Sequence, residues 1–239
     1  MHIVTTTFRG NPNIGLWGFC NNRYCLLGRD VPEAIAAKIG EVLDVKIHRT
    51  TICGTSLIGI FCAGNDHALL VPSIIFESEL QKLKHWGIPY KIIDTKWTAL
   101  GNNMLCNNEG CLVNPNFSAR NKKLIRQALQ VKLKPGRIAE LPTVGSLGIA
   151  NKHGCFLHKD AKQAEIEYLE DLLGVKSETG TINRGSPYVK SGILVNDRGL
   201  IVSDLSWGPE IGMADESLFP KRGEEHGTRA RESIAVQVH

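Results

Sequence analysis

The sequence predicts one α+β domain in which five similar units of about 44 residues close into a pseudo-fivefold ring. Three observations lead there. An asparagine-centred phrase, apolar run, polar turn and second apolar run, recurs five times. Its asparagines are Asn21, Asn65, Asn107, Asn151 and Asn196, so successive spacings are 44, 42, 44 and 45 residues. Six residues before the asparagine stands Gly15, Gly59, Gly101 or Gly145 in four copies, with Lys190 in the fifth. After it comes an apolar step: Leu26-Leu27, Leu69-Leu70, Leu112-Val113, Phe156-Leu157 and Leu200-Ile201. Finally, the first and last copies carry the same hairpin as the middle ones. An open stack ends in atypical capping units, so closure is favoured. Each phrase reads as a β-hairpin, its asparagine supplying the positive φ of a tight turn and, in the last three copies, a glycine three residues later easing the start of the second strand.

The units run over about 1–45, 46–89, 90–131, 132–175 and 176–219, with the common order strand, hairpin, helix. In the first, Asp30 and Glu33 have the form of a capping box ahead of the apolar stripe Ile35, Ile39, Val42 and Leu43. In the second, Pro72 ends the hairpin, and Leu80, Leu83 and Trp86 set a helical spacing that Gly87 and Pro89 stop. A helix from about Ser118 to Val131 closes the third, with Leu124, Ile125, Ala128 and Leu129 on one face and Arg120, Lys122, Lys123 and Arg126 as a solvated face. The fourth has Asp160 as cap, Gln163 completing the box, a stripe of Ile166, Leu169, Leu172 and Leu173, and Gly174 as stop. The fifth ends in a helix from Pro209 to Phe219, weakened by Gly212. Residues 220–239 form a charged tail without aromatics, expected to be disordered because it cannot bury enough apolar surface to offset its ordering entropy.

Composition bounds the function. With 42% hydrophobic and 22% charged residues the chain can bury a core, and no apolar run is long enough to span a membrane. No signal peptide opens the sequence, so a cytoplasmic location is expected. The net charge of +4 is compatible with a phosphate-rich partner without requiring one. Seven cysteines (20, 25, 53, 62, 106, 111 and 155) include no Cys-x-x-Cys pair and fall mostly at apolar strand positions. They read as free thiols acting as small hydrophobes. No metal-ligand spacing occurs, and no cofactor is expected. Gly185 with Lys190-Ser191 is no phosphate loop, because Val189 stands where that loop needs glycine. His153 and His158 flank a strand and read as surface or packing histidines.

The run from Gly10 to Leu27, Leu100-Gly101-Asn102 with Cys106-Asn107, Thr143-Val144-Gly145-Ser146, and Gly180 to Ser186 with Val195-Asn196-Asp197 resemble the translation initiation factor 6 family, especially its archaeal form. The likeness covers residues 1 to about 219, although Ile60 stands where eukaryotic members carry arginine. It implies the pentein fold, five quasi-equivalent units around a pseudo-fivefold axis. It also implies a monomer that binds the large ribosomal subunit beside the sarcin-ricin loop, on ribosomal proteins and on that RNA loop, and so blocks joining with the small subunit. On the same grounds Asn65, Asn107 and Asn108 are expected near the ribosomal protein contact. Asn183 and Arg184 form a polar turn whose guanidinium suits a carboxylate or phosphate, or alternatively braces the turn against the next unit.

Two other readings compete. Pentein rings also include guanidine-modifying hydrolases and transferases, whose nucleophilic cysteine lies in the final unit. Residues 176–219 contain neither Cys nor His, so the chain is not expected to be an enzyme. A general RNA-binding protein would interleave basic residues with exposed aromatics, but aromatics make up only 6% of this chain and are scattered.

Overall fold

The computed structural model describes residues 2–220 and contains five three-stranded sheets arranged as a ring. Strands β1 (Ile3–Thr6), β2 (Gly18–Cys20), β3 (Tyr24–Gly28) and β4 (Lys46–Thr50) come first, then β5 (Ala63–Gly64), β6 (Leu69–Pro72) and β7 (Tyr90–Ile93). They are followed by β8 (Met104–Cys106), β9 (Gly110–Val113), β10 (Lys132–Pro135), β11 (Gly148–Ala150), β12 (Cys155–His158), β13 (Ser177–Gly180), β14 (Ile193–Val195) and β15 (Leu200–Ser203). Each hairpin is antiparallel, and its second strand takes a parallel third strand from the next unit: β4 on β3, β7 on β6, β10 on β9 and β13 on β12. The sheets therefore straddle the repeat boundaries. The first strand closes the circle, β1 pairing with β15 in the register Ile3↔Leu200 to Thr6↔Ser203. Expected closure is thus realised by the pairing of the first and last strands, which makes β15 the central strand of its sheet, as β3, β6, β9 and β12 are of theirs.

One long helix follows each hairpin: α1 (Glu33–Leu43), α2 (Glu77–His85), α3 (Ala119–Leu129), α4 (Gln163–Leu173) and α5 (Gly208–Leu218). Each packs its apolar stripe on a sheet, giving five core clusters instead of one continuous core. In α4, Leu169, Leu172 and Leu173 are buried as the 3.6-residue period requires, and Gly174 at φ 69° ends the helix. Ser118 caps α3 by accepting from Asn121 N at 3.1 Å. No helix among the described residues is long and apolar enough to cross a membrane.

Local readings failed at several places for identifiable reasons. Asp30 does not cap α1. It accepts the Ser56 hydroxyl at 2.6 Å, and Pro32 is the N-cap. Asp160 does not cap α4 either: the N-cap is Lys162, whose N–H donates to Glu165 at 2.9 Å. Helix α5 passes through Gly212 unbroken. The apolar run before each turn asparagine is not all strand. A single helical turn comes first, at Ile14–Leu16, Ile58–Phe61, Leu100–Asn103, Val144–Ser146 and Val189–Gly192. The tail, beyond Pro220, lies outside the described residues.

Candidate functional site

The ring has two faces and a central channel, each built by equivalent residues of successive units. On one face lie the five hairpin turns and the C-termini of the long helices. The turn asparagines do not adopt positive φ. Each instead folds its side-chain oxygen back onto the N–H groups two and three residues on; for Asn107 these are Glu109 N at 2.9 Å and Gly110 N at 3.0 Å. Each side-chain amide donates to the backbone carbonyl of the next turn asparagine. The circle runs Asn21→Asn65 (3.0 Å), Asn65→Asn107 (3.4 Å), Asn107→Asn151 (3.2 Å), Asn151→Asn196 (3.2 Å) and Asn196→Asn21 (3.2 Å). Four of these amides also donate to the last carbonyl of a long helix, Leu129, Leu173, Leu218 or Leu43. Those carbonyls lack intrahelical partners, so the asparagines serve as C-caps supplied from the neighbouring unit.

The glycines three residues after the turn have the same origin. A Cβ on Gly110, Gly154 or Gly199 would stand 2.1, 1.7 or 2.2 Å from a helix carbonyl of the adjacent unit, so close approach selects glycine there, not a positive φ.

Outside this circle the following residues form an open arc. Asp66 binds Asn22 and Asn108, and the Asn22 amide also donates to Asp197 at 2.7 Å. Asn65 and Asn107 are buried, 4% and 7% exposed, with both amide hydrogens of each donated internally. Asn108 is half-buried against Asp66.

The channel passes between Cys20, Gly64, Cys106, Ala150 and Val195 into a chamber of about 80 Å³ that is also lined by Gly15, Gly145 and Lys190 of the one-turn helices. There the four glycines stack in a chain. A Cβ on Gly59 would sit 2.0 Å from Gly15 O, on Gly101 2.0 Å from Gly59 O, and on Gly145 2.2 Å from Gly101 O. Lys190, in the fifth position, extends across the axis and donates to Gly101 O at 2.5 Å and Gly59 O at 3.3 Å. Burial pushes its pKa down to about 8. Lys190 is therefore a plug that satisfies backbone carbonyls, consistent with the rejection of a phosphate loop.

Strands β3, β6, β9, β12 and β15 run away from the turns, so the opposite face carries the N-termini of the long helices and the loops before the one-turn helices. Asn183 and Arg184 lie here, both at positive φ (54° and 63°), far from Asn65, Asn107 and Asn108. The structure splits the expected site residues between two faces. Asn183, not Arg184, reaches the next unit, its amide 3.4 Å from Pro12 O and from Asn13 Oδ1. The Arg184 side chain is exposed and makes no hydrogen bond among the described residues. Its backbone is gripped by Glu210, which accepts from Arg184 N (3.0 Å), Gly185 N (2.7 Å), Trp207 N (2.9 Å) and the Thr181 hydroxyl (2.8 Å).

Glu79 and Glu165 hold the equivalent turns at Cys53-Gly54 and Ala139-Glu140. Local reading missed this clamp, although the repeated glutamate at 79, 165 and 210, separated by 86 and 45 residues, was a usable signal.

Burial alone would raise the Glu210 pKa, but these donors outweigh it and hold the carboxyl below the ordinary glutamate value. A folded-state pKa below the unfolded one stabilises the fold above the unfolded pKa, and that contribution is lost as pH falls through the folded value. Glu210→Gln is therefore expected to cost about 1–3 kcal/mol at pH 7, read from the urea midpoint, with the difference from the parent shrinking under acid conditions.

Exposed apolar side chains also concentrate on this face: Ile74, Phe76, Leu141, Tyr188 and Trp207, the last 61% exposed. Phe76 and Trp207 are the N-cap residues of α2 and α5. His158 is buried beside Tyr188 and His153 is exposed, so both histidines occupy the packing and surface places their positions suggested.

A sequence model of the eIF-6 family matches residues 3–217. Translation initiation factor 6 of Pyrococcus abyssi is 36% identical over 224 residues, covering 91% of this chain and 99% of the relative. The protein of the same name from Saccharolobus islandicus (strain L.S.2.15 / Lassen #1) is 34% identical over 221 residues, 91% of this chain and 99% of its own length. That from Methanococcus maripaludis is 36% identical over 223 residues, 90% and 98% respectively.

Proposed function

Because the chain belongs to the eIF-6 family, we propose that it is a cytoplasmic factor that binds the large ribosomal subunit as a monomer and prevents joining with the small subunit by occupying the docking surface. The observation that carries the reading is the asymmetry of the two faces. On the asparagine face the turn amides are consumed in holding the ring together, whereas the opposite face offers at Arg184 a guanidinium with no hydrogen-bond partner among the described residues, and carries exposed Tyr188, Trp207, Phe76 and Leu141. Aromatic residues and arginine are the types that dominate protein interfaces, and a guanidinium can also pair with RNA phosphate. We place the contact there: Arg184 engages a carboxylate or phosphate beside the sarcin-ricin loop, and Asn183 holds the turn. Blocking needs no chemistry. A rigid disc clamped at Glu79, Glu165 and Glu210 suffices, and a guanidine-modifying activity has no Cys or His in its final unit to work with.

The test is sedimentation with purified ribosomal subunits through sucrose. The protein is expected to travel with the large subunit and to reduce the joined particle. Arg184→Glu is expected to weaken co-sedimentation at least about tenfold without lowering the urea midpoint, while His67→Glu, exposed on the asparagine face, changes it by less than about twofold. The reverse pattern would transfer the interface to the asparagine face and restore Asn108 as a contact.

A further inference from the structure

Cys20 stands opposite Cys25 across the β2–β3 hairpin, and Cys106 opposite Cys111 across β8–β9. In both hairpins the next pair toward the turn carries a ladder hydrogen bond, Asn21 N to Tyr24 O and Asn107 N to Gly110 O, each 3.1 Å. Hydrogen-bonded and non-hydrogen-bonded pairs alternate along an antiparallel ladder, so both cysteine pairs occupy non-hydrogen-bonded positions. There the Cα atoms lie about 4.5 Å apart and side chains approach most closely. A disulfide spans Cα separations of roughly 4.4–6.8 Å. All four thiols are free.

Access is equally specific. Cys20 and Cys106 line the channel and its chamber, while Cys25 and Cys111 are fully buried behind them in the core. Each pair has one sulfur reachable by a small solute and one held beside it. The remaining hairpins set Gly64 against Leu69, Ala150 against Cys155 and Val195 against Leu200, so they contain no such pair.

We propose that Cys20–Cys25 and Cys106–Cys111 are two reversible oxidation sites, each converted from dithiol to disulfide by a small peroxide that enters the channel. The channel-lining thiol loses its proton and attacks one peroxide oxygen, the O–O bond breaks, and the departing hydroxide takes up that proton, leaving a sulfenic acid and water. The buried thiol then gives up its proton and attacks the sulfenic sulfur, the S–O bond breaks, and a second water leaves. Two electrons pass from the sulfur pair to the peroxide, and an external thiol returns the dithiol by exchange. A hydrogen bond from Cys111 holds the Cys106 thiol below its ordinary pKa, which fits Cys106 as the attacking partner. The Cys20 and Cys106 thiols also donate to Val195 O (3.1 Å) and Gly64 O (3.0 Å) of neighbouring units, so oxidation removes one hydrogen bond from each of two unit junctions.

The test treats the folded full chain with hydrogen peroxide. The expected product is about 4 Da lighter, and alkylation after unfolding labels three cysteines instead of seven, since two pairs remove four. Trypsin, cutting after Arg23, should leave residues 10–23 bridged to residues 24–29. Cleavage after Glu109 should leave the Cys106 and Cys111 peptides joined, and dithiothreitol should separate both. Cys25→Ser and Cys111→Ser each lose one bridge and gain oxygen on Cys20 or Cys106. A bridge from Cys20 to Cys106, oxygen adducts without bridges in the parent chain, or seven thiols still alkylated would overturn the proposal. A single bridge would overturn it for the unbridged pair.

Discussion

Gly101→Ala is expected to prevent the ring from forming. Its Cβ would lie 2.0 Å from Gly59 O and 2.6 Å from Cys62 O, and neither backbone can retreat, because Gly59 is itself stacked on Gly15 O at the same distance. Well-packed interiors transmit such strain, and a contact this short must move a whole unit. The cost should exceed about 4–5 kcal/mol, the range reached only by severe core defects. Circular dichroism and a urea titration should show an insoluble or non-cooperative product. Gly212→Ala is the control. Nothing lies within 4 Å of the added carbon and the site is inside α5, so helix propensity alone should raise stability by about 0.5–1 kcal/mol. A soluble, cooperative Gly101→Ala protein would show that the central stack is looser than its carbonyl contacts indicate.

The second large effect is at Asn107. Its side chain accepts from Glu109 N and Gly110 N and donates to Asn151 O (3.2 Å) and Leu173 O (2.9 Å), in a buried position. Asn107→Leu leaves several buried polar groups unpaired, each worth about 1–3 kcal/mol, so the loss should be about 3 kcal/mol or more. A bulky or charged residue there should unfold the ring before it reports on any partner. Asn21 lacks the helix-carbonyl bond, and Asn21→Leu should cost less. Asn107→Asp gives a sharper signature. The carboxylate would face two carbonyl oxygens, so its folded-state pKa would rise above the unfolded value, and stability should be regained as pH falls through that raised pKa. Equal urea midpoints for Asn107→Leu and the parent would remove the asparagine circle from the account of stability.

Much of this molecule was legible before folding. The spacing of Asn21, Asn65, Asn107, Asn151 and Asn196 gave the repeat number, the apolar steps gave the second hairpin strands, and the stripe of α4 with Gly174 gave a helix with its end. These features were readable because turn chemistry and periodicity act over a few residues. The turn asparagines, however, suggested a local backbone role at positive φ, while their amides serve a neighbour 42 to 45 residues away, or 175 residues away at Asn196→Asn21. The same distance hid the clamp glutamates, since a Glu165 that binds Ala139 and Glu140 looks from its own helix like any first-turn acid.

By itself, then, the sequence determined five units, their hairpins and helices, and kinship with a family. Only the tertiary structure decided that β1 closes the ring on β15, that Asn65 and Asn107 are spent inside it, and that Arg184 is exposed on the opposite face. The physical reason is that closure, burial and exposure are set by contacts between residues remote in the chain, and a local pattern carries no record of which remote carbonyl an amide will find.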